Sequence, residues 1–204
     1  MDTDELPPTQ KGRQFELSAR GLREFAGLRN DEAPLNPFEL AHYAKLLVVP
    51  FSAIDQLSDE TRGQLLGQGK NDWSGGAASI KLPDGRKLII LNPTHGKNRH
   101  NATLMEEVSH VFLGHKPSRL AIERKDRSGR TVARDYNKEI EEEAYGTGAA
   151  ALVPYRALKR FIRAGKTIAQ IARHFNVSRA LVEYRIKVSK LWELYQTSIF
   201  TGSK

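Results

Sequence analysis

Glu106-Glu107-Val108-Ser109-His110 is a five-residue run whose types and spacing could activate water on a metal ion. The usual form of this motif is H-E-x-x-H on a helix. Two histidines four residues apart bind zinc, and the glutamate after the first serves as general base. Here Glu107 stands in the base's position and His110 in the second ligand's, while Glu106 replaces the first imidazole with a carboxylate. On a helix Glu106 and His110 share one face. Glu107 points about a quarter-turn away, toward a water on the ion. A third ligand has to come from a second helix, and Glu141-Glu142-Glu143 begins 31 residues beyond His110, enough for a loop and a returning helix. The opposite expectation is a helix with Glu106 and Glu107 in solvent and His110 packed in a core, holding no metal.

These residues need helices and a sheet to position them. Arg99 to His115 is expected to be helical, with Leu104, Val108, Val111 and Phe112 as its apolar stripe. Lys138–Leu152 is expected to be a second helix, with glutamates near its start complementing the helix dipole and Pro154 ending it. Two extended runs, 72–82 and 86–92, flank Pro83-Asp84-Gly85, a hairpin signal. The continuous apolar run Leu88–Leu91 is expected to be a buried strand. Val48–Phe51 reads as a short strand, Glu16–Leu28 as a helix, and Asn36-Pro37 as the start of a helix through about Leu47. Another short helix should begin near Ser58. Residues 1–13 are expected to be a loose arm and 124–135 a charged loop or hairpin. His115, about 140° round a helix from His110, is poorly placed to share its ion and is expected to be structural.

Across 204 residues, 39% hydrophobic and 27% charged, the composition is that of an ordinary globular protein. No cysteine is present, which excludes disulfides, thiolate ligands and a cysteine nucleophile. The acidic start Met1–Glu5 is followed by no apolar run, and no stretch is long enough to span a bilayer. A cytoplasmic location without a membrane partner is the expectation. The net charge of +8 is unevenly spread: residues 151–204 carry 11 Lys/Arg against 2 Asp/Glu, and residues 1–150 carry 21 against 22. This asymmetry points either to an acidic partner such as nucleic acid or to a solvated basic face.

Thr167–Arg185 resembles a helix-turn-helix, with Ala172 at the helix contact, Asn176 at the turn, Val177 and Val182 in the core and Ser178 capping the second helix. If it reads DNA, Ser178, Arg179 and Glu183 meet bases, with Arg173, Arg185 and Lys187 near phosphates. The same pattern also serves a helical hairpin that buttresses a neighbouring domain.

Thr103–His115 is similar to the active helix of ImmA/IrrE-type metallopeptidases, which usually reads T-L-x-H-E-x-x-H-x-x-L-x-H. Leu91-Asn92-Pro93 and Arg99 fit the approach to that helix. Glu141-x-x-Ala144 followed by Ala149-x-x-Leu152-x-Pro154 resembles the family's third-ligand helix. The resemblance covers roughly residues 35–190. It implies Glu107 as general base, His110 and Glu141 as ligands, and Glu106 in the first-ligand position, with Glu143 competing with Glu141. Tyr145 stands where the family has Asn or Asp to support a ligand. Tyr136, just before that helix, could stabilise an oxyanion or could simply pack.

Two carboxylates and one imidazole can still complete a zinc site with water, but they are a harder set that also admits manganese or iron. They should leave the bound water less acidic. The implied fold is α+β: a small twisted sheet over about 48–92 packed on the active-site helices, followed by the helix-turn-helix-like segment. The expected organisation is an arm and helix over 1–34, a metallopeptidase-like domain over 35–154 and a basic segment over 155–204. The implied function is hydrolysis of a protein substrate, typically a DNA-binding repressor, in stress or mobile-element regulation. The competing expectations are an inactive peptidase-like regulator that binds DNA or protein through the basic segment, and a metal-dependent enzyme of another kind.

Overall fold

Helix-forming runs with caps at their ends dominate the chain, and nine α-helices form among the described residues. The computed structural model describes residues 5–55, 57–115, 124–125, 131–132 and 138–201. Helix α1 spans Gln10–Phe25 and is opened by Thr9, whose hydroxyl accepts from Gly12 N–H. It starts within the stretch expected to be a loose arm, because the Thr9 cap offsets the weak apolar pattern of its first turn. Helix α2 spans Pro37–Tyr43, opened by Asn36 as expected, but stops short of Leu47. Lys45 takes φ 55°, ending the helix and turning the chain into strand β1, Leu46–Val49. Helix α3, Asp59–Leu66, is capped by Ser58.

Strands β2 (Gly75–Lys81) and β3 (Lys87–Leu91) form the antiparallel hairpin expected around Asp84-Gly85, with Gly85 at φ 80°. Strand β1 pairs parallel with β3, giving a mixed three-stranded sheet in the order β1-β3-β2. The apolar run of β3 is buried on one side only: Ile89 and Leu91 point inward, while Leu88 and Ile90 are half-exposed. Arg124–Lys125 and Thr131–Val132 form a second, two-stranded antiparallel pair, β4 and β5.

Helix α4 spans Lys97–Phe112 and packs on the sheet and on α5, Lys138–Leu152. Its buried stripe is Asn101, Leu104, Met105, Val108 and Ser109. Val111 and Phe112, expected on that stripe, are 43% and 45% exposed because the helix ends there. Helix α5 lies between α1 and α4, and its glycines permit the close approach. A Cβ on Gly146 would run into the Phe15 ring, and one on Gly148 would sit 3.1 Å from Ser109 Oγ. Helices α6 (Tyr155–Arg163), α7 (Ile168–Phe175), α8 (Arg179–Val188) and α9 (Trp192–Thr201) complete the chain.

One hydrophobic cluster runs from Phe15 to Leu191, crossing both boundaries expected near 34 and 154. Two buried arginines of α1 and α8 tie it together. Arg23 donates to the carbonyls of Asn30, Ala33 and Ala151. Arg185 is fully buried, pairs with Glu16 and donates to the Val153 carbonyl. No helix among the described residues is long and apolar enough to cross a membrane.

Candidate metal centre

The third and fourth turns of α4 and the first turn of α5 converge, because Ser109 and Gly148 let their backbones approach. Glu106, His110 and Glu141 thereby offer ligand atoms that all lie within 4.8 Å of one another. His110 Nε2 is 3.5 Å from Glu141 Oε2. Two donors each about 2.1 Å from a tetrahedral ion lie about 3.4 Å apart, so this pair already has the spacing of ligands to one cation.

Charge also favours a cation. Burial, followed by the charges of Glu107 and Glu141, pushes Glu106 up from 4.5 to about 7. Glu107 is raised by burial and by Glu141, against a downward pull from Lys87. Three glutamates thus share a partly desolvated space, and a divalent ion would relieve their repulsion. Burial lowers His110 below its ordinary value, opposed by Glu141, and so favours the neutral imidazole that a metal requires. The residues present therefore fit a divalent metal ion.

No sequence pattern marks Lys87, on β3, as part of the site. Its Nζ lies 3.9 Å from Glu107 Oε2, and hairpin register, not any motif, brings it there. Spacing alone predicts His115 on the helix, yet the helix has already ended. Leu113 is the C-cap, Gly114 takes φ 69°, His115 N–H donates to the His110 carbonyl and Gly114 N–H to the Val111 carbonyl. This is a Schellman ending, and it folds His115 back over the last turn. Its Nδ1 lies 3.1 Å from His110 Nδ1, and its Nε2 lies 3.2 Å from Glu143 Oε2. Glu143, the competitor of Glu141, thus faces His115. Gly114 was the available signal: read as a helix stop, it puts His115 two residues past the cap.

Tyr145 stacks edge-on against Tyr184 of α8, with ring centroids 4.9 Å apart. Burial and the neighbouring Glu106 raise its pKa. Tyr136 lies outside the described residues. His100 Nε2 bonds the Asn92 carbonyl and so braces the passage from β3 into α4.

Helices α7 and α8 join through Asn176, which adopts the left-handed conformation at φ 54°, and Ser178 caps α8 through Leu181 N–H. Ala172, Val177 and Val182 are buried, as expected. Arg173, Arg179 and Lys187 are exposed and Ser178 is half-buried. Arg185 is a correction: its guanidinium is committed to Glu16 inside the protein and has no access to a phosphate. The turn itself is docked on the active helix. Asn98 donates to the Val177 carbonyl and Asn101 to the Asn176 carbonyl, both at 2.9 Å.

A family model described as the IrrE N-terminal-like domain, a peptidase family, matches residues 68–187, more than half of the chain. Comparisons with curated proteins and with solved structures gave no match. The matched region contains the Glu106–His110–Glu141 cluster and the two helices that build it. The chain belongs to the IrrE N-terminal-like family of peptidases.

Proposed function

We propose that the protein is a metal-dependent peptidase that cleaves a regulatory protein of the repressor type. Glu106, His110 and Glu141 hold the metal, zinc first and manganese or iron as alternatives, and Glu107 is the general base. The convergence of three ligand atoms within 4.8 Å in a peptidase-family domain carries this reading. A divalent cation there would polarise the scissile carbonyl and acidify a nearby water. Glu107 takes the proton from the attacking water and later delivers it to the leaving amine. Lys87 favours the charged form of Glu107. The open edge of β2, paired only with β3 among the described strands, supports an extended substrate as an added strand.

The test is metal content after purification without chelator, together with cleavage of a peptide library by wild type and Glu107→Gln. Expected are one bound transition metal in each and a loss of roughly 10²–10⁴-fold in cleavage for the variant. Absence of bound metal would sink the reading, and undiminished cleavage by Glu107→Gln would remove the base.

One observation favours a second reading, a non-catalytic regulator that binds DNA or protein: Arg173, Arg179 and Lys187 lie exposed along α7 and α8. A steep fall of DNA affinity with salt would support its DNA-binding form, and no retention on DNA at low salt would exclude that form.

A further inference from the structure

We propose that His115, backed by Glu143, is a positioning residue that fixes the ring of His110 and so sets the metal affinity of the centre. The proposal rests on the reading of His110 as a ligand. His115 stands outside the helix, yet its side chain is only 10% exposed, and both of its ring nitrogens face a polar partner. The Glu143 carboxylate can only accept, so it takes the N–H of His115 Nε2. His115 Nδ1 is then an acceptor and receives the N–H of His110 Nδ1. A metal held by His110 Nε2, the atom 3.5 Å from Glu141, would take that nitrogen's lone pair, and the proton then left on Nδ1 is the one His115 accepts.

Ligating histidines ordinarily rely on an outer partner to fix their orientation and increase their basicity. Here that partner is a second imidazole, held by the Schellman ending at Gly114 and anchored on α5 by Glu143. The two helices that build the site are therefore bridged twice, once through His110 and Glu141 and once through His115 and Glu143. With Glu106 in place of a first histidine, His110 is the one imidazole of the proposed ligand set, so its orientation carries more of the affinity than in a two-histidine site.

The experiment titrates metal-free full-length protein with Zn²⁺ and with Mn²⁺ by calorimetry, for wild type, His115→Ala, His115→Asn, Glu143→Ala and the double alanine variant. The imidazole nitrogens are followed by NMR, and circular dichroism confirms folding. Expected for His115→Ala is a loss of about 10- to 100-fold in Zn²⁺ affinity. His115→Asn, whose amide oxygen can still accept from His110 Nδ1–H, should recover most of it. Glu143→Ala should lose less, and the double variant should be no worse than His115→Ala, because the two residues act in series. In the zinc form the His110 Nδ1–H should exchange slowly with water because His115 accepts it, and His115→Ala should speed that exchange. X-ray absorption of the zinc form should count one imidazole. Unchanged affinity and unchanged Nδ1–H exchange in His115→Ala overturn the inference but leave the peptidase reading standing. Two imidazoles on zinc overturn it by making His115 a ligand. No metal uptake by wild type overturns the ligand assignment and this inference with it.

Discussion

Lys87 Nζ lies 3.9 Å from Glu107 Oε2, so a cation from the sheet faces the proposed base from the active helix. Both side chains are partly exposed, at 22% and 24%, so the pair is weak in free-energy terms. Lys87→Met should move the acidic limb of the cleavage pH profile upward, by less than about one pH unit, because Glu107 then holds its proton more tightly. Lys87→Arg should leave the limb in place. A profile unmoved by Lys87→Met would separate Lys87 from the base.

Glu106 gives the metal-free protein a pH dependence of defined sign. Its folded pKa, about 7, lies above the ordinary 4.5. The stability it contributes is present in full below 4.5 and is lost as pH rises through about 7. Metal-free wild type should therefore melt at a lower temperature at pH 8 than at pH 5, and Glu106→Gln should reduce the difference. His110, lowered by burial, acts in the opposite direction below its ordinary value of 6.5, so the comparison with Glu106→Gln is the informative one. Equal slopes for the two proteins would contradict the crowded-carboxylate description.

The buried pair Glu16–Arg185 joins α1 to α8. Removing one member leaves a buried charge, at a cost of about 3–5 kcal/mol. Glu16→Leu and Arg185→Met should each lower the melting temperature by roughly 10 °C for a chain of this size. Glu16→Leu combined with Arg185→Met should recover much of that. A double variant as unstable as the sum of the singles would mean that packing, not charge pairing, governs the site.

Gly148 is a lever on the proposed metal centre. Its added Cβ would stand 3.1 Å from Ser109 Oγ and 3.2 Å from the Met105 carbonyl, which adjoin His110 and Glu106 on α4. Gly148→Ala should destabilise by about 1–3 kcal/mol and weaken Zn²⁺ binding as α4 and α5 separate. Gly63→Ala on α3, where a Cβ meets nothing within 4 Å, should do neither. Thermal melts and calorimetry of the two variants check this directly.

Local chemistry made much of this structure legible. Asn36, Ser58 and Ser178 cap the helices expected of them, Asp84-Gly85 turns the hairpin, and Lys138–Leu152 has the bounds read from its pattern. Glu106, His110 and Glu141 come together because helical spacing places two and a returning helix brings the third. What stayed hidden depends on contacts between distant segments. Nothing near Lys87 announces Glu107, since sheet register decides their meeting. Arg185 looks like a surface cation among other basic residues until Glu16, 169 positions away, is seen to receive it. Helical periodicity carried past Gly114 misplaces His115, because the left-handed backbone of Gly114 ends the helix.

The part that α1 plays in the core has a practical side for anyone cutting this gene. Phe15 fills the space over Gly146, Glu16 neutralises Arg185 and Arg23 reaches the Ala151 carbonyl, and all three lie before residue 68, where the family match begins. A fragment trimmed to residues 68–187 would strip the covering from α5 and strand a guanidinium in an apolar interior. Such a fragment should be recovered as aggregate, the matched segment being shorter than the one this core needs.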